Sequence, residues 1–126
     1  MLSILYVGIG GFGGCISRYL LANWAQQVFG TTNFPIGTLL VNIVGCLAIG
    51  LIAGLVESRQ LMSEGMRILI LTGFLGGFTT YSAFGLQTTQ LIRDGALLFA
   101  LTNVGLHIFL GIGAAWLGYF VTIRGS

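Results

Sequence analysis

Residues 73–85 read GFLGGFTTYSAFG, in the middle of an uncharged run from Ile68 to Ile92. That run is long enough to cross a bilayer, which takes about 20 mostly apolar residues. It nevertheless carries glycines, paired threonines and a serine where a spanning helix favours leucine. Gly76-Gly77 followed by Thr79-Thr80 predicts that the helix unwinds there. Hydrocarbon supplies no water to satisfy freed backbone, so a helix broken at depth must bury its loose ends in protein or line a site.

The rest of the chain confirms the solvent. It has 126 residues, of which 56% are hydrophobic and only 6% charged, with mean hydropathy +0.98. A soluble domain carries about 25% charged residues. The charges are Arg18, Glu57, Arg59, Glu64, Arg67, Arg93, Asp94 and Arg124, leaving uncharged runs 1–17, 19–56, 68–92 and 95–123. Asn33, Phe34 and Pro35 mark a loop inside the second run. The reading is an all-α integral membrane protein whose single domain covers 1–126. Its four transmembrane helices lie at about 2–22, 36–56, 67–92 and 96–121, the third broken near 76–80. No basic residues precede the first apolar run, so a cleaved leader is not expected. A net charge of +2 is too small and scattered for nucleic acid. Cys15 and Cys46 fall within spans and read as packing residues.

Gly8, Gly10 and Gly13 form a literal G-x-G-x-x-G after an apolar run. A dinucleotide site would need a βαβ unit and an acidic residue about 20 positions later. The first carboxylate is Glu57, and an enzyme reading fails on both counts. The glycines read better as packing surfaces. Gly10 and Gly14, Gly50 and Gly54, and Gly73 and Gly77 are each four apart. Small residues at that spacing let helix backbones approach closely in lipid.

Polar groups at membrane depth are functional candidates. Thr38 and Asn42 share one face of the second span, Asn103 and His107 one face of the fourth. Thr80, Tyr81, Phe84, Gln87 and Thr88 share a side of the third. Any one face could be an interhelical hydrogen bond worth about 0.6–2 kcal/mol; three together point to a site. No carboxylate lies at depth to carry a proton, and no ligand set for zinc accompanies His107. Arg18 has two readings, a snorkelling residue near a span end or a fixed charge that concentrates anions in a vestibule.

Unwinding the third span exposes carbonyls suited to a cation, and amides with a positive dipole end suited to an anion. Tyr81 and Phe84 follow at once, three apart. Aromatic rings have a positive edge, which can replace part of an anion's hydration while binding weakly enough to let it leave.

These residues resemble a known family. Gly76-Gly77-Phe78-Thr79-Thr80-Tyr81-Ser82-Ala83-Phe84 is similar to the signature of the Fluc (CrcB) fluoride channels, near G-G-x-T-T-F-S-T-F. The likeness continues through Gly14-x-x-x-Arg18, through Gly37-Thr38-Leu39-Leu40-Val41-Asn42-x-x-Gly45, and through Asn103 and His107. It covers all four spans. The resemblance implies an antiparallel, dual-topology homodimer in the bacterial inner membrane, passing fluoride out through two pores. It implies a structural Na+ at the dimer centre, held by the backbone carbonyls of Gly76 and Thr79. It assigns the pore's aromatic pair to Tyr81 and Phe84 and its mouth to Asn42, with Thr38, Ser82, Asn103 and His107 as further polar lining. Arg18 becomes a vestibule or structural residue. Tyr81 stands where phenylalanine is usual, and Gly85 and Gln87 where serine and glutamate are usual.

The charge pattern suits dual topology on its own. With four spans, Arg59, Arg67 and Arg124 share one side and Arg18 and Arg93 the other. Three against two barely biases insertion. The alternatives are a small dual-topology exporter, which would want a buried carboxylate, and a non-transporting assembly subunit, which leaves the broken span unexplained.

Overall fold

In a computed structural model, residues 2–30, 34–59 and 62–125 are described. Asn33, read as part of the first loop, lies outside them. Helix α1 is Leu2–Phe29, α2 is Ile36–Arg59, α3 covers 64–78, α4 is Tyr81–Arg93 and α5 is Leu97–Arg124. α3 and α4 together form the third span. Each of the four spans is long and apolar enough to cross a membrane. The protein is a multi-pass, all-helical membrane protein.

Three local features depart from the sequence expectations. α1 continues to Phe29, about two turns beyond the expected end near residue 22. Its extra length is held by Gln26, whose Nε2 donates to the Phe34 carbonyl at 3.2 Å. Gln26 Oε1 accepts from Gly37 N–H at 3.1 Å, so a side chain of α1 caps the exposed amides opening α2. The second departure is a wide π turn over Ile68–Leu75, just ahead of the break. The third is a π segment at His107–Gly111 in α5. There the Asn103 carbonyl accepts from the His107 backbone N–H and also lies 3.0 Å from its ring Nδ1. A side chain drawing on a ladder carbonyl is a known cause of such distortion.

The connections carry ordinary chemistry. Ser63 caps α3 by accepting from Met66 N–H at 3.3 Å. α4 ends in a Schellman motif, with Ala96 N–H donating to Leu91 and Gly95 N–H to Ile92. Gly95 sits at φ 78°, which a side chain would strain.

Two close helix crossings hold the bundle. α1 lies against α3, where a Cβ on Gly10 would strike the Leu69 carbonyl and one on Gly14 the Phe74 carbonyl. From the facing side, a Cβ on Gly73 or Gly77 would meet α1 backbone at 2.9 Å. α2 lies against the second half of α5, with Gly50 facing the Ala115 carbonyl and Gly54 facing Thr122. All three glycine pairs therefore sit where backbones touch. Gly14→Val forces α1 and α3 apart, and overpacking of this kind costs about 1–3 kcal/mol. Gly8, with nothing within 4 Å of a Cβ, should accept alanine. Thermal unfolding in detergent should separate the two, with Gly14→Val markedly lowered and Gly8→Ala unchanged or raised.

Candidate functional site

The third span does break at Thr79-Thr80. Thr79 has φ −90°, ψ 156° and Thr80 φ −149°, ψ 116°, both extended. In an unbroken helix the amides of residues 80–83 would bond the carbonyls of 76–79. Extending two residues breaks that ladder, and the chain replaces only part of it.

Asn42 on α2 does most of the replacing. Its Oδ1 accepts from Thr80 N–H at 2.9 Å, and its Nδ2 donates to the Thr80 carbonyl at 3.1 Å. A side-chain amide thus grips both faces of one residue's backbone, as a neighbouring strand would. Thr80 then caps α4, its Oγ1 accepting from Ala83 N–H at 3.2 Å and lying 3.3 Å from Ser82 Oγ. On the other side of the break, the Leu75 carbonyl accepts from both the N–H and the hydroxyl of Thr79, each at 3.0 Å. Arg18 Nε donates to the Gly77 carbonyl at 3.0 Å. Among the described residues, no hydrogen bond reaches the carbonyl oxygens of Gly76, Phe78 or Thr79.

Arg18 sits well inside α1 and beside the break. α1 runs 11 residues past it, so it is not a helix-end residue free to snorkel. Its guanidinium is tied to the break, and it also lines a cavity of about 190 Å³ with Asn23, Thr38, Thr80 and Gln87. Thr38 is buried on α2, one turn before Asn42.

Thr80 also lines a larger groove, of about 450 Å³, bounded by Asn42, Thr79, Tyr81, Phe84 and His107 among apolar residues. No Asp, Glu, Lys or Arg lines it. The Phe84 ring is the centre of an aromatic group, 5.7 Å from Tyr81 and 4.2 Å from His107 between centroids. Tyr81 is 83% exposed, and its hydroxyl has no hydrogen bond among the described residues. His107 Nε2 lies 3.1 Å from Asn42 Nδ2. Gly76 also faces the groove, and a Cβ there would approach nothing closer than the Leu71 carbonyl at 3.9 Å.

Asn103 lies elsewhere than its helix partner His107. It is wholly buried, with Nδ2 donating to Thr88 Oγ1 at 3.0 Å, and Thr88 in turn donates to the Phe84 carbonyl at 2.7 Å. It supports the turn of α4 that presents Phe84. Asn103 Oδ1 and Gln87 Oε1 are buried with no hydrogen-bond partner among the described residues.

A polar pocket of about 440 Å³ opens beside Gln26, Gln90 and Asp94. Gln87 is common to this pocket and the Arg18 cavity, and Thr80 is common to the Arg18 cavity and the groove. Shared lining residues thus link the three spaces in that order, Thr80 of the break being the link between the last two. Sequence reading puts Gln87 on the polar side of the third span but gives neither it nor Gln26 these positions. Tyr119, which donates to Glu57 Oε2 at 2.6 Å and ties α5 to the end of α2, it missed. A tyrosine near the end of an apolar span reads as an interfacial anchor whatever its partner.

The family model described as "CrcB-like protein, Camphor Resistance (CrcB)" matches residues 5–119. The chain is similar to the "Fluoride-specific ion channel FluC" of Maridesulfovibrio salexigens, at 45% identity over 107 residues, covering 85% of this chain and 84% of that one. It is similar to the protein of the same name in Geotalea uraniireducens, at 43% over 121 residues, covering 96% and 97%. "Fluoride-specific ion channel FluC 1" of Methanosarcina acetivorans is 43% identical over 118 residues, covering 94% and 88%.

Proposed function

The chain belongs to the CrcB-like family, whose relatives are ion channels rather than enzymes, and on that premise we propose that it is a fluoride-selective channel for passive fluoride export. The observation that carries the reading is the break at Thr79-Thr80, where Asn42, the Tyr81–Phe84 ring pair and the adjoining polar cavities meet. The relatives that share almost the whole of this chain's length bear the fluoride name.

Fluoride holds its water strongly, so a pore must offer donors that replace hydration in small steps. The polar pocket and the Arg18 cavity supply a polar approach to the break. Thr38, Ser82 and Asn42 offer side-chain donors near the break. Beyond Thr80, the ring edges of Tyr81 and Phe84 carry the ion without a full charge that would trap it. Asn103 and His107 back this lining through their hydrogen bonds.

The reading includes an antiparallel homodimer of dual topology with two pores, in the bacterial inner membrane. Two observations support it. The arginines divide three against two between the ends of the spans. The space beside Gly76 is open within one chain, as a close approach by a second copy would require. A structural sodium ion fits the same place, because the Gly76 and Thr79 carbonyls accept no hydrogen bond among the described residues and hard oxygen donors suit a hard cation. When bound, the ion would offset the dipoles of those carbonyls.

Fluoride efflux from proteoliposomes, read with an ion-selective electrode, tests the reading. Efflux dependent on the protein and unmatched by chloride supports a channel; movement of organic cations or no flux at all would point to an exporter or an assembly subunit. Arg18 gives a second test. Its bond to Gly77 predicts that Arg18→Gln lowers flux to a similar extent at all ionic strengths. A loss confined to low salt would instead assign it a long-range role, because screening shortens the reach of a charge to about 10 Å at 0.1 M.

A further inference from the structure

The Asn42–His107 contact is fixed by constraints that begin in the backbone. Thr80 offers Asn42 an N–H, which can only donate, and a carbonyl, which can only accept. The amide oxygen must face the first and the amide nitrogen the second; turning the amide over would oppose both pairs. The second hydrogen of Nδ2 remains, and 3.1 Å away lies His107 Nε2. Nε2 must therefore be the bare, accepting nitrogen. The other side of the ring gives the same answer independently. Nδ1 lies 3.0 Å from the Asn103 carbonyl, which can only accept, so Nδ1 carries the hydrogen. Both sides select one neutral tautomer.

We propose that His107 is a positioning residue that acts through Asn42, holding the amide on the break in its neutral Nδ1–H form and releasing it when protonated, so that conduction falls in acid. This rests on the channel reading. In the imidazolium, Nε2–H would point at the N–H of Asn42, donor against donor. Asn42 cannot turn to meet it without losing both bonds to Thr80. The titratable groups that face His107 across the groove are Cys46 from α2 and Tyr81 from α4, and Asn103, its partner on α5, is neutral. None is an acid placed to balance the new charge. The Phe84 ring, 4.2 Å away and tilted by 42°, would be drawn towards an imidazolium and so shift from its place beside Tyr81.

The chain has a single histidine, so labelling that residue type reports one imidazole. The test uses full-length protein in liposomes, purified without a histidine tag. Fluoride efflux is read at equal pH on both sides, with leak from protein-free vesicles subtracted. As the imidazole signal passes from neutral to protonated, wild-type flux should fall about tenfold, the scale of one buried hydrogen bond. His107→Gln, whose Oε1 accepts from Asn42 and does not titrate, should show no such fall, whatever its flux at neutral pH. Nitrogen-15 spectra of the wild-type imidazole should show the Nδ1–H tautomer at the alkaline end. An Nε2–H tautomer, or a wild-type pH profile as flat as that of His107→Gln, overturns the proposal. If no fluoride moves at any pH, the channel reading fails, and the tautomer spectrum still decides whether His107 accepts from Asn42.

Discussion

Asn42→Ala is expected to abolish fluoride efflux while the chain still inserts in the membrane. The substitution removes three hydrogen bonds at once, two to Thr80 and one to His107. Each buried group left unpaired costs about 1–3 kcal/mol, so the extended conformation at Thr80 loses its support. The backbone has a cheaper arrangement ready. Thr80 N–H can return to the Gly76 carbonyl four residues back, the partner it would have in a continuous helix. Healing the break in that way withdraws the Gly76 carbonyl and swings Tyr81 and Phe84 to a new angle, since both follow directly from Thr80. Efflux should drop by at least about a hundredfold, the effect of about 2.7 kcal/mol. Size-exclusion behaviour in detergent should stay close to wild type, because the glycine crossings of α1 with α3 and of α2 with α5 are untouched. Efflux above half the wild-type rate would show that the break stands without its amide clamp.

What the sequence made legible follows from how local each signal is. Uncharged run length needs no partner, so the four spans could be read directly, and paired threonines after paired glycines located the break. Spacing of four marked the crossing faces of Gly10 and Gly14, Gly50 and Gly54, and Gly73 and Gly77, though not which helix each would meet. Periodicity gives a face and never its opposite. The bond from Arg18 to the Gly77 carbonyl joins residues 59 apart, and nothing local to Arg18 announces it. The same holds for Gln26, which caps α2 from α1. Asn103 and His107 shared a helix face in sequence, yet one is wholly buried against Thr88 and the other reaches the groove. They lie one helical turn apart, the His107 N–H bonded to the Asn103 carbonyl, and differ only in which elements pack against each, which a 3.6-residue period does not show.

The aromatic pair should split sharply when its two members are changed. Phe84→Ile keeps an apolar side chain of useful size but removes the polarised ring edge. Tyr81→Phe keeps the edge and removes a hydroxyl that has no hydrogen bond among the described residues. An interaction with a charged group is worth about 1.5–3 kcal/mol, so losing one ring edge in a dry passage should lower fluoride flux by about 10- to 100-fold. Tyr81→Phe should stay within about twofold, since no charged contact is lost. The supports of Phe84 explain why its loss should affect flux more than stability. Its carbonyl is held by Thr88, itself held by Asn103, and those bonds survive any change of the side chain. α4 should therefore keep its place, and thermal unfolding of Phe84→Ile should remain near wild type. The ring also leans on His107 at 4.2 Å, so removing it leaves the imidazole more room without breaking the bonds at either nitrogen. Equal flux through Phe84→Ile and wild type would take ring-edge coordination at this position out of the mechanism. A loss in Tyr81→Phe as deep as that in Phe84→Ile would move the ion's contact from the ring to the phenolic hydroxyl.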